Sequence, residues 1–185
     1  MRVEPEWVVP FTTSFEQPST IGPFAQIIHA ALDAGIGHGA LQAALPFIRE
    51  HARPWIDAGV NSAAQDPLLL QQLGNVHVRL RAADALIARA ALAVDAAQRL
   101  PTEDSVAAAS VAVAKAKALS TSASLLAGSK LFELGGSGAT LAAHGLDRFW
   151  RNARVHTLHD PVRWKYHAVG NYVLNGVRPP RHGAI

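Results

Sequence analysis

The sequence has no cysteine among its 185 residues, which excludes disulfides, cysteine-ligated zinc and a catalytic thiol. Aromatic residues are also scarce at 6%, whereas hydrophobic residues reach 49%, with Ala and Leu the commonest. Ala and Leu are strong helix formers, so this composition favours closely packed helices. No uninterrupted apolar run is long enough to cross a bilayer, and the first residues do not resemble a signal peptide. The composition therefore predicts a cytoplasmic helical protein without a membrane partner.

The net charge of +3 is small, but the basic residues are concentrated near the end of the chain. From Asp147 onwards there are seven Lys and Arg residues against two Asp residues. These basic residues alternate with Trp150, Leu158 and Trp164 and do not form a solvated run. This pattern favours a local anion, such as a cofactor phosphate, over nucleic acid as the partner.

Residues 1–19 differ in pattern from the rest of the chain. Pro5, Pro10 and Pro18 interrupt this segment, and the apolar residues between them are mostly those favoured in extended chain. We therefore predict that residues 1–19 are a last strand and linker, the remnant of a preceding β domain. Residues 20–185 are predicted to form the helical domain.

Helix start and stop signals divide residues 20–185 into three long helices and several short ones. The first helix begins near Thr20, is expected to kink at Pro46, and ends before Pro54. Asp66 and the following proline begin the second helix. The third helix extends over residues 102–135, and shorter helices are expected over 139–144, 147–153 and 161–174. With brief connections, these elements predict an all-α fold, an antiparallel four-helix bundle with short extra helices.

Two segments carry candidate chemistry. The glycine turn at 135–138 is either an ordinary helix C-cap or a backbone cradle for an anion. His156 and His159 are three residues apart and precede Asp160. They are candidates for backbone-bonded structural histidines, for metal ligands with Asp160, or for proton transfer near neutral pH. Asp160 is also the expected N-cap of the last helix.

Several other residues admit a structural or a functional interpretation. Arg53, after the first long helix, is either a solvated helix-end arginine or an anion ligand. The tryptophans are expected in the core or in an interface rather than under a cofactor. Lys115 and Lys117 are expected on a solvated helix face.

Four segments together resemble a known family. They are residues 18–26 (PSTIGPFAQ), residues 52–55 (ARPW) with 65–67 (QDP), residues 130–136 (KLFELGG) and residues 147–161 (DRFWRNARVHTLHDP). The chain resembles the C-terminal helical domain of the acyl-CoA dehydrogenase superfamily. The resemblance is closest to the flavin-dependent monooxygenase branch, of the dibenzothiophene and dimethylsulfone monooxygenase type. It covers nearly the whole chain.

The resemblance implies a flavin site. In this family the bundle forms the core of a homotetramer, and the flavin lies between one subunit's middle β-barrel and a neighbour's bundle. Arg53 would then reach the phosphate end of the flavin, and Gly135, Gly136 and Ser137 would lie along the neighbour's flavin. His159 and Asp160 would stand near the isoalloxazine, with His159 the catalytic candidate that assists formation or protonation of a C4a-hydroperoxyflavin. The monooxygenase branch implies FMN, with FAD as the alternative, and a separate flavin reductase.

The chain also departs from the family pattern. No residue matches the catalytic glutamate of acyl-CoA dehydrogenases, which favours the monooxygenase branch, and Ser137 stands where some relatives have a basic residue. The N-terminal domain and nearly all of the barrel are missing, so we expect little catalysis from this chain alone. Two functions stay open: the helical part of a flavin-dependent oxidoreductase, or a stand-alone oligomerisation or partner-binding module. Both predict a dimer or tetramer, and neither identifies a substrate.

Overall fold

The computed structural model describes residues 2–185, and these residues form a helical bundle. Within this range the five α-helices are α1 (Ile21–His51), α2 (Pro67–Arg99), α3 (Glu103–Gly135), α4 (Asp147–His156) and α5 (Arg163–Asn175). Short 3-10 helices lie at Pro5–Trp7, Phe11–Phe15, Ile56–Ala58, Ala63–Gln65, Ser137–Thr140 and Ala142–His144. Between residues 2 and 185 there is no strand, and no helix is both long and apolar enough to span a bilayer. The predicted all-α four-helix bundle is confirmed.

Side-chain contacts define the direction of the helices. His38 on α1 bonds Asp84 on α2, whereas the later α1 residue Leu45 lies in a pocket with Leu69, early in α2. α1 and α2 are therefore antiparallel. In contrast, α1 and α3 are parallel. Asp33 of α1 bonds Thr121 of α3, and the later α1 residue Phe47 lies beside Gly135 at the end of α3. α4 and α5 together form the broken fourth helix.

The ends of the long helices follow from local hydrogen bonding. Asp66 Oδ1 accepts hydrogen bonds from the backbone N–H groups of Leu68 (2.9 Å) and Leu69 (3.2 Å), so it caps α2 as predicted. Thr102 and Ser105 form a reciprocal capping box at the start of α3. Helix α1 continues through Pro46 as one element.

Small residues allow close packing of α1, α2 and α3. A Cβ atom at Gly37 would lie 2.6 Å from Leu80 Cδ2 and 3.1 Å from Ser124 Cα, so only glycine fits here. The core contains many alanines, with larger side chains such as Leu80, Phe47 and Leu131 filling one half of the bundle. A second cluster, which includes the buried side chains of Val94 and Val113, fills the other half.

The predicted strand in the first 19 residues is wrong. Residues 2–19 form the 3-10 helices Pro5–Trp7 and Phe11–Phe15, with most side chains exposed. A strand needs a neighbouring strand to accept its backbone hydrogen bonds, and residues 2–185 offer none. The assignment of residues 1–19 to a preceding domain stays a prediction, and residue 1 lies outside the described residues.

Candidate functional site

The predicted site residues lie in two separate places on the bundle. Arg53, Gly135 and Gly136 line one pocket of about 800 Å³ at the end where α1 and α3 finish. His159 and Asp160 lie between α4 and α5, beside residue 29 of α1. Ser137 begins the 3-10 helix that follows the glycine turn, and it is not among the residues lining the first pocket.

The two places are far apart. His29 contacts His159, whereas His51 lies only two residues before Arg53. Because α1 rises about 1.5 Å per residue, His29 and His51 are separated by about 33 Å along the helix. This separation is much longer than one flavin mononucleotide. Within one chain, therefore, Arg53 and His159 are too far apart to contact the same FMN molecule.

The glycine turn is shaped by packing and by backbone conformation. A Cβ atom at Gly135 would lie 3.0 Å from Ala139 Cβ and 3.1 Å from a ring carbon of Phe47. Gly136 has a φ of 74° and ends α3 by donating its N–H to the Phe132 carbonyl at 2.9 Å. Glycine is thus favoured by the backbone conformation at Gly136 and by tight packing at Gly135, which supports the C-cap interpretation. The same turn leaves its backbone at the pocket wall.

Arg53 is exposed at the pocket and is available for an anion. None of the ion pairs formed within residues 2–185 includes it. Three acidic residues also line the pocket, and all three have partners. Trp55 donates to Asp57 at 2.9 Å, Lys130 donates to Glu133 at 2.6 Å, and Asp66 accepts the two N-cap hydrogen bonds of α2. The hydrogen bond from Lys130 is the main cause of a lowered pKa at Glu133.

His159 forms the exposed part of the second place. Its side chain is 53% exposed, and its ring stacks on His29 with 4.2 Å between the ring centroids. Its Nδ1 lies 3.3 Å from Asp160 Oδ2, close enough for electrostatic attraction, but Oδ2 has no hydrogen-bond partner in residues 2–185. His159 is therefore held between a second imidazole and a carboxylate, with one side open to solvent.

Asp160 does not cap the last helix, which corrects the prediction. Helix α5 begins at Arg163, and no side chain caps it. Asp160 is instead buried next to Gln26 and Lys165. Burial acts to raise the pKa of Asp160, but the Gln26 side chain, the Lys165 ammonium and His159 outweigh burial and lower it.

Lys165 is itself buried and is tied to the end of the chain. Its ammonium donates to the Ala184 carbonyl, and Gln26 Nε2 donates to the Gly183 carbonyl at 3.0 Å. Burial lowers the pKa of Lys165 to about 8, although Asp160 opposes the change. The last residues of the chain thus cover one side of the Asp160 carboxylate.

A buried ion pair behind the histidines was not predicted. Asp33 is fully buried, and its Oδ2 accepts hydrogen bonds from Lys117 Nζ (2.7 Å) and Thr121 Oγ1 (2.8 Å). Its Oδ1 accepts from His156 Nδ1 at 2.6 Å, and His156 Nε2 lies 3.1 Å from His29 Nδ1. The prediction that Lys117 lies on a solvated face is wrong, because it is fully buried. In the sequence, this ion pair was indicated by the position of Asp33, an acidic residue four positions after His29 on the mostly apolar first helix.

The remaining sequence-based interpretations have mixed outcomes. Trp55, Trp150 and Trp164 are 70%, 46% and 57% exposed, so they are not core residues of this chain. Their expected role in an interface stays a prediction. Within residues 2–185, no group of three or more histidine, aspartate or glutamate side chains has the arrangement of a metal site.

Comparisons with known proteins place this geometry in a family. Residues 27–164 match the family model described as acyl-CoA dehydrogenase, C-terminal domain. Dibenzothiophene monooxygenase of Rhodococcus erythropolis is 40% identical over 190 residues, which cover 97% of this chain and 45% of the relative. The probable FMNH2-dependent monooxygenase SfnC of Pseudomonas putida is 37% identical over 158 residues, covering 84% and 40%. The chain spans about half the length of the curated relatives it matches.

Solved structures give the same result. FMN-bound TdsC from Paenibacillus sp. A11-2 has a TM-score of 0.87 at 36% identity, covering 94% of this chain and 45% of that one. Methanesulfinate monooxygenase MsuC from Pseudomonas fluorescens has a TM-score of 0.81 at 33% identity, covering 86% and 42%. The fold defines the class: a helical bundle of the kind that these solved structures contain. The chain belongs to the acyl-CoA dehydrogenase family, and residues 27–164 are its C-terminal domain.

Proposed function

We propose that this chain is the helical bundle of a reduced-flavin-dependent monooxygenase and that it contributes part of an FMN site. The observation that carries the proposal is the pocket that the exposed Arg53 lines together with Gly135 and Gly136. Guanidinium groups are common ligands of phosphate. The proposal includes the cytoplasm as the place of action.

FMN fits the residues of both places. Arg53 would hold its phosphate end, and the glycine turn would lie along the flavin. His159 and Asp160 would face the ring of a flavin, where His159 would hold or release a proton. Bound FMN would supply the activation of oxygen. FMN is favoured because TdsC has been solved with FMN and a relative is described as FMNH2-dependent, with FAD as the alternative. The latter description also supports a separate flavin reductase as partner.

The separation of the two places supports a site shared between copies of the chain. His159 contacts His29, and Arg53 follows His51, about 33 Å further along α1, so Arg53 and His159 of one chain would serve different FMN molecules. An apolar stripe on α1 is available for association: Phe24, Ile28 and Leu32 are 50%, 48% and 50% exposed at helical spacing. We therefore propose a dimer or tetramer, in which another copy or the middle domain covers this stripe.

The test is a titration of the purified chain with FMN and with reduced FMN, followed by flavin fluorescence and by sedimentation. We expect saturable binding by an oligomer. Arg53→Ala removes a charged hydrogen-bond donor to phosphate and should weaken binding by roughly 10- to 100-fold. Arg89→Ala is the matched control, because Arg89 is an exposed arginine on α2. His159→Ala should also weaken binding, with His77→Ala on α2 as its control.

The outcomes separate the two classes of function. Binding that is lost in the site variants and kept in the controls supports the flavin proposal. A stable oligomer that binds neither form of FMN would instead identify a stand-alone assembly module. A monodisperse monomer in sedimentation would contradict the shared site.

A further inference from the structure

A line of hydrogen bonds connects the buried core to His29, whose ring stacks on the exposed imidazole of His159. It begins at Asp33, continues through His156 at 2.6 Å and His29 at 3.1 Å, and ends where His29 stacks on His159. The residues come from α1, from the end of α4 and from the loop after α4. Lys117 holds the other oxygen of Asp33 from α3.

The positions of the protons follow from the donors and acceptors. The Asp33 carboxylate only accepts, so His156 Nδ1 must carry a hydrogen. His156 Nε2 and His29 Nδ1 then share one hydrogen between them. When both rings are neutral, His29 donates it, which leaves the lone pair of His29 Nε2 free. That nitrogen has no hydrogen-bond partner in residues 2–185 and is not among the enclosed polar atoms there.

Burial and neighbouring cations lower the pKa of His29, which favours its neutral form. Burial is the main cause of its lowered pKa, and His159, His156 and Lys117 lower the pKa further. Asp160 acts in the opposite direction. Neutral His29 therefore lies beside His159 with a lone pair on Nε2 that can accept a proton.

We propose that His29 and His156 form a proton relay behind His159, and that Asp33 is the positioning residue that orients it. The relay rests on the proposed function for its role at the flavin. When a proton binds His29 Nε2, the hydrogen on its Nδ1 moves to His156 Nε2. One N–H bond forms at His29, one breaks there, and one forms at His156, so the positive charge comes to rest 2.6 Å from Asp33 Oδ1.

This transfer moves charge away from the exposed imidazole of His159. A proton held on His29 would lie against His159 and oppose its protonation, because like charges at contact distance repel. On His156 the same charge is stabilised by Asp33, while Lys117 limits the stabilisation because it bonds the same carboxylate. The relay thus removes a like charge from the ring beside His159, so that His159 can itself take up a proton in the site that we propose.

The experiment is nitrogen NMR of the imidazole rings in the full chain, without flavin, across the pH range in which histidines titrate. At neutral pH we expect both His29 and His156 as the tautomer protonated on Nδ1. His156→Phe keeps a ring but removes the partner of His29 Nδ1, so the preference of His29 for this tautomer should be lost. His159→Gln removes a like charge and should shift the midpoint of His29 upward. His77→Phe on α2 is the control and should change neither signal.

The possible results support or overturn the relay. If His29 carries its hydrogen on Nε2 at neutral pH, that nitrogen has no lone pair to accept a proton, and the relay is excluded. The relay is also excluded if His156→Phe folds with the His29 tautomer unchanged. Binding of FMN by a chain with the wrong His29 tautomer would refute the relay alone. The expected tautomers in a chain that binds no FMN would leave the relay in place and refute its flavin role.

Discussion

Removing the charge of Asp33 should destabilise the bundle far more than removing the whole ion pair. Asp33→Asn has nearly the same shape, but it leaves the Lys117 ammonium, which is fully buried, without a counter-charge. Breaking a buried pair in this way costs about 3–5 kcal/mol. That is a large part of the roughly 5–15 kcal/mol by which a typical domain is stable.

The double variant Asp33→Asn/Lys117→Met removes both charges and should recover much of this loss. The amide oxygen can still accept from His156, and the amide N–H group, in place of the second carboxylate oxygen, can donate to the Thr121 hydroxyl. The remaining cost should therefore be about 1 kcal/mol. Lys117→Met alone should cost less than Asp33→Asn, because Thr121 and His156 still donate hydrogen bonds to the Asp33 carboxylate.

Urea unfolding followed by circular dichroism, at one fixed protein concentration, gives the four free energies of this cycle. We expect Asp33→Asn to be the least stable of the three variants. If the double variant loses the sum of the two single losses, the coupling is zero, and our account of Asp33 and Lys117 as a mutually dependent pair is refuted.

Three further predictions address packing, capping and pH. Gly37→Ala places a carbon atom 2.6 Å from Leu80 and should cost about 1–3 kcal/mol, whereas Gly35→Ala, with open space around it, should stabilise by about 0.5–1 kcal/mol; urea midpoints check both. Asp66→Ala removes two N-cap hydrogen bonds and should cost about 0.5–2 kcal/mol by the same assay. Burial lowers the pKa of Lys165 from 10.5 to about 8, so the unfolded chain binds more protons between these values. Stability should therefore rise with pH across that window, and a rise of equal size in Lys165→Met would contradict the assignment.

The sequence was sufficient where the physics is local. Asp66 and Thr102 each satisfy backbone N–H groups within the next three residues, so their positions predict where α2 and α3 begin. The helical spacing of apolar residues also gave three long helices. The strand predicted within the first 19 residues was wrong, because a strand forms only beside a partner strand, and the local sequence does not show whether one is present.

The site was harder to predict because its contacts are distant in sequence. Lys117 lies 84 residues from Asp33 in the sequence. Helix α3 is rich in alanine, so its sequence does not show which side of the helix is buried. Asp160 was expected as an N-cap because it precedes a proline. Helix α5 begins later, however, and the Asp160 carboxylate lies next to Gln26 and Lys165. His159, the glycine turn and Arg53 were found through the resemblance, not from their spacing.

The separation of about 33 Å along α1 between the Arg53 and His159 ends has a genetic consequence. Two chains that are each inactive for a different reason can restore each other when mixed. If one copy supplies Arg53 and another supplies His159, random mixing of equal amounts of Arg53→Ala and His159→Ala chains leaves about one site in four with both residues intact. Two defects in the same subunit-local site would give no such recovery, so complementation between alleles distinguishes a site built between chains from a site built within one.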